Sequence, residues 1–64
     1  MSPPITYAVY FDYGQGPKDF EPILCRGELE AMRRARELGG QRAGCRAVEV
    51  HFGDSVLFHV RLDD

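Results

Sequence analysis

Two alternating stretches and one helical stripe organise the chain. From Ile5 to Tyr13 an apolar residue falls at every second position, namely Ile5, Tyr7, Val9, Phe11 and Tyr13. Residues two apart share a face in an extended chain, so this run predicts a strand with one apolar side. Thr6, Ala8, Tyr10 and Asp12 take the other side. Between Arg46 and Leu62 the pattern recurs twice, as Val48, Val50 and Phe52, then Val56, Phe58, Val60 and Leu62. Gly53-Asp54-Ser55 separates the two runs and marks a hairpin. A two-residue turn would set the two apolar sides on opposite faces of the sheet. A three-residue loop pairs Phe52 with Val56, Val50 with Phe58 and Val48 with Val60, so that register is expected.

Glu28 to Leu38 changes period. Ala31, Met32, Ala35 and Leu38 fall on one third of a helical circumference with Leu29 beside them, while Glu30, Arg33, Arg34 and Glu37 lie opposite. Gly27 can cap the start, acidic residues fill the first turn, and Gly39-Gly40 predicts the stop. The two alanines predict a close approach of this helix to a sheet. Phe20–Cys25 reads as a weaker strand that Pro22 confines to an edge. Pairing Tyr13 with Phe20 and Val9 with Leu24 keeps its apolar side with that of the first strand. Gly14-Gln15-Gly16-Pro17-Lys18-Asp19 is a turn.

The expected fold is α+β, a two-layer ββαββ domain with one helix on one face of a four-stranded mixed sheet. Pro22 in the second strand, and Arg46 and Glu49 in the third, suit edges. The first and fourth strands therefore go to the centre, in the order 2-1-4-3, and run parallel. Without a strand at Phe20–Cys25 the fold reduces to βαββ. The sheet's second face stays open and carries Tyr10, Glu49, His51, Leu57, His59 and Arg61.

Sixty-four residues form a single domain, 1–64, near the lower size limit for folding without staples. Residues 1–4 are expected to be a disordered N-terminus, and 63–64 are a short acidic end. With 44% hydrophobic and 28% charged residues the chain is globular. No apolar run approaches the ~20 residues of a membrane helix, and the start lacks the basic and apolar regions of a secretory signal. A cytoplasmic location is expected, with no membrane partner. Cys25 and Cys45 flank the helix, whose length of ~18 Å exceeds the reach of a disulfide; reduced thiols fit that compartment.

The formal net charge is −2, so the whole chain is no polycation. The middle is locally basic, however, because six arginines from Arg26 to Arg46 face three glutamates there. Arg33, Arg34 and Arg36 are the candidates for meeting an anionic partner.

Gly53-Asp54-Ser55, within Phe52–Val56, resembles the nucleophile block of the GDSL hydrolases. In that family the serine is helped by an Asp-x-x-His pair. No Asp-x-x-His occurs here, and Gly, Asp and Ser are what a hairpin turn requires. The block is therefore read as a turn, and the protein as no enzyme. The expected pairing sets Glu49 across from His59 with His51 on the same face. Two imidazoles and a carboxylate are a donor set for a divalent metal, although an unenclosed polar cluster is more simply a cross-strand pair. No metal and no cofactor is expected. The residues together point to a small interaction module whose partner is a second copy, as a homodimer, or another protein. The alternative is a binding domain for an anionic ligand or nucleic acid, using the arginine-rich helix or the open face.

Overall fold

A computed structural model describes residues 3–62. The expectations for residues 1, 2, 63 and 64 lie outside the described residues. Five elements follow one another: β1 (Ile5–Asp12), β2 (Asp19–Cys25), α1 (Glu28–Gly40), β3 (Ala47–Phe52) and β4 (Ser55–Arg61). The four strands form one sheet in the order β2-β1-β3-β4, every neighbouring pair antiparallel. The fold is thus α+β with the ββαββ element order, and β2 is a true strand, so the βαββ reduction does not apply.

The order 2-1-4-3 and the parallel central pair are corrected. β3, not β4, lies beside β1, with Val9 opposite Val50 and Phe11 opposite Val48. Neither residue that argued against a central β3 is an obstacle. Arg46 precedes the strand, and Glu49 stands on the uncovered face bonded to Lys18 and His51. The β2–α1–β3 connection consequently passes over β1.

The core lies between α1 and one sheet face. Val9, Phe11, Val48 and Val50 are fully buried there, joined by Tyr7, Ile23 and Cys25. From the helix come Ala31 and Ala35, both fully buried, and Gly39. These three follow at a spacing of four residues, a stripe of minimal side chains that lets the helix axis approach the sheet closely. Met32 and Leu38 are only partly covered, and Leu29, expected beside the apolar stripe, is exposed. Gly39 and Gly40 do not stop the helix but form its last residues. A Cβ on Gly39 would stand 2.6 Å from a Val48 methyl and 2.7 Å from a Leu62 methyl. This glycine is therefore selected by close packing. Gly27 is the N-cap, and Glu30 Oε1 accepts the Arg26 N–H at 2.8 Å, so a glutamate in the first turn reaches back as in a capping box.

The first hairpin's register differs from expectation, and the second's differs only at its turn end. In the first, Tyr7 faces Ile23, Val9 faces Glu21 and Tyr10 faces Phe20. The slip carries Phe20, Pro22 and Leu24 to the uncovered face. What decides it is Arg42, just beyond α1. Its guanidinium lies 3.8 Å above the centre of the Phe11 ring and donates to Glu21 Oε1 at 3.0 Å and to the Tyr13 hydroxyl at 3.2 Å. Glu21 thus belongs on the helix side, as a cap on the core.

In the second hairpin Phe52 pairs with Ser55 across a two-residue Gly53-Asp54 turn. Gly53 has φ +59°, and no described non-glycine residue has positive φ, the pattern of a type II′ turn. A β-bulge then restores the expected pairs Val50–Phe58, Glu49–His59 and Val48–Val60. The predicted Phe52–Val56 pair is absent. Val56 instead pairs with His51 and is exposed, whereas Leu57, expected on the open face, packs against the core.

Candidate interaction surface on the open sheet face

The face opposite α1 is divided by chemistry. At one end Leu24 stands opposite Thr6, and Pro22, Ala8, His51 and Val56 succeed one another across the four strands. In the next row come Phe20, Tyr10, Glu49 and His59, then Asp12, Ala47 and Arg61. The first end is mostly apolar and the other mostly charged. Phe20, Leu24 and Val56 are 60%, 57% and 58% exposed.

Tyr10, Glu49, His51, His59 and Arg61 lie on this face as predicted; Leu57 does not. The Tyr10 ring stacks on Phe20, with centroids 5.4 Å apart and planes 25° apart, and touches the His51 ring at 4.4 Å. Glu49 lies at the centre of a polar cluster. Its Oε1 is 3.0 Å from His51 Nε2, its Oε2 accepts from Lys18 Nζ at 2.9 Å, and His59 Nε2 stands 4.0 Å away. The hydrogen bond from His51, followed by that from Lys18, holds the Glu49 carboxyl below its ordinary range. The same contact with Glu49 raises the Lys18 ammonium.

The carboxylate oxygens of Glu49 are thus already engaged. Among the described residues no group of three His, Cys, Asp or Glu side chains is arranged to hold a metal ion. Ser55 lies in the hairpin as the first residue of β4, and both cysteines are free thiols. Burial pushes the Cys25 thiol up.

Arg33, Arg34 and Arg36 are exposed on the outer side of α1. Arg33 and Arg34 share a shallow groove of about 270 Å³ with Glu30 and Glu37, so their charge is balanced locally. Arg34 also donates to the Leu24 carbonyl at 3.2 Å, which ties the helix to β2. The described helix is neither long nor apolar enough to cross a membrane.

Phe20, Leu24, Val56 and Lys18 were not predicted for this face. In β2 both parities are apolar, Phe20 and Leu24 on one and Ile23 and Cys25 on the other, so alternation alone is undecided. The available signal was Glu21, which needs a cation, and Arg42, which supplies it. Compared with protein-family models, curated proteins and solved structures, the chain shows no match.

Proposed function

We propose that the protein is a non-catalytic interaction module that associates with a second copy of itself through the open sheet face. The observation carrying this reading is the exposure of Phe20, Leu24 and Val56 on a face that no described element covers. The surface area points the same way. The chain exposes 4580 Å², against roughly 4100 Å² for a compact monomer of this mass. Four strands about 4.8 Å apart and about seven residues long make a face of ~19 by ~23 Å. Its flat projection of ~440 Å² on each copy gives about 880 Å² in all, below the ~1,200 Å² of stable interfaces, so the face contact by itself is a weak one.

Charge favours a like partner over a polyanion. Glu49 is neutralised by Lys18 and flanked by imidazoles, so the face has mixed signs and no cationic field. An apolar end beside a neutralised polar end suits isologous contact around a two-fold axis. The test is sedimentation equilibrium of the native chain and of the Phe20→Glu, Leu24→Glu double variant. The variant should lose the face contact and show half the native mass while keeping a folded circular-dichroism spectrum. An unchanged mass would overturn the reading.

The stacked Phe20 and Tyr10 rings with His51 favour a second reading, a platform for bases of single-stranded nucleic acid. Glu49 and Asp12 oppose phosphate there. A labelled oligonucleotide that shows no anisotropy change at low salt removes this alternative.

A further inference from the structure

We propose that β4 is a second self-association element, pairing antiparallel with β4 of another copy to join two four-stranded sheets into one of eight strands. This goes beyond the face contact and uses a different surface. The two edges of the sheet are not alike. Edge strand β2 contains Pro22, which cannot donate to an incoming strand, and its Leu24 carbonyl is taken by Arg34. Among the described residues, edge strand β4 has β3 on one side and no strand on the other, and it contains no proline from Ser55 to Arg61.

The covered side of β4 is also unfinished. β1 and β3 bury Val9, Phe11, Val48 and Val50 completely beneath α1, whereas Phe58, Val60 and Leu62 pack against the core but remain partly open. Edge pairing places the same residues of a second copy beside them, in the furrow between two helices on one side of the joined sheet. Apolar side chains left half covered along an unblocked edge are what such a partner would complete.

The usable segment follows the bulge between the Val50 and His51 pairings, which protects the turn end of the edge. Leu62 N–H donates to the Arg46 carbonyl at 2.8 Å, so beyond the bulge the even-numbered residues Phe58 and Val60 bond toward β3. His59 therefore turns its backbone N–H and C=O outward. Edge pairing would also double the open face to an area typical of stable interfaces, so the two contacts reinforce one another. The full assembly is a tetramer with two kinds of two-fold axis.

Two measurements test this apart from the face contact. In the Phe20→Glu, Leu24→Glu background only the edge contact remains. There His59→Ala keeps the backbone donor and should sediment as a dimer, whereas His59→Pro removes it, as Pro22 does in β2, and should sediment as a monomer. Equal masses for the two variants would overturn the edge proposal. Amide hydrogen exchange of the native chain decides the matter even if His59→Pro does not fold. The His59 amide should gain at least tenfold protection as protein concentration rises from micromolar to millimolar. Exchange as fast as in an exposed loop at every concentration would overturn the proposal. If the face reading fails, the halving of mass by His59→Pro relative to His59→Ala is still read.

Discussion

At the scale of single residues, two charged side chains decide how the sheet is presented. Arg42 holds Glu21 and roofs Phe11, which assigns the faces of β2. Glu49 organises Lys18 and His51 on the other side of the sheet. Because the folded Glu49 carboxyl is held below its unfolded value, its contribution is fully present above the unfolded pKa of about 4.3. It is lost as pH falls through the lower, folded value. Glu49→Gln removes the charge and retains the shape. Urea denaturation should therefore find the native chain more stable by about 1 kcal/mol at pH 6 to 7, with the difference shrinking as the pH falls below the unfolded value of about 4.3. A difference independent of pH would show that the ionised carboxylate is not what the cluster stabilises.

At the scale of elements, the helix and the strands were legible because their periods are clean. Ile5 to Tyr13 alternates without a break, and α1 places Ala31 and Ala35 four residues apart on its covered side. The β1–β2 register, the turn end of the β3–β4 hairpin and the strand order were not, because they depend on partners distant in sequence or on a single extra residue. The hairpin accommodates the two-residue turn and the Val/Phe pairing together by a bulge, which no alternation pattern encodes. The centre of the sheet is not legible from charge, because Glu49 suggests an edge strand, whereas a residue on an uncovered face is free to be charged in any strand. Tyr10, Glu49, His51, His59 and Arg61 were legible as one face; Phe20, Leu24 and Val56 had to wait for those two registers. The helix end gives a paired prediction. Gly40→Ala meets nothing within 4 Å and should stabilise by up to about 1 kcal/mol. Gly39→Ala gains the same propensity but drives its methyl into Val48, a stiff and fully buried side chain. Overpacking of ~1–3 kcal/mol should leave it destabilised by about 1 kcal/mol. Chemical denaturation of both variants checks the opposite signs; equal stabilisation would mean that α1 moves away from β3 without cost.

At the scale of the molecule, the chain is one helix on one face of a four-stranded sheet, 39 by 21 by 16 Å. A domain of this length buries only about 60% of the surface its unfolded chain exposes, so its margin of stability is narrow and any surface that finds a partner widens it. Association linked to folding makes stability depend on concentration, because mass action favours the associated native state over the dissociated unfolded one. A monomer has no such dependence. With an unfolding entropy of about 2.1 cal/mol/K per residue, a tenfold rise in concentration should raise the thermal midpoint of a two-state dimer of this size by roughly 5 °C. Scans at 5, 50 and 500 μM should show at least that rise for the native chain, and a steeper one where the tetramer forms. The midpoint should be flat for Phe20→Glu, Leu24→Glu combined with His59→Pro, which lacks both contacts. A flat native midpoint would remove self-association through either surface, and the exposed Phe20, Leu24 and Val56 would then await a different protein.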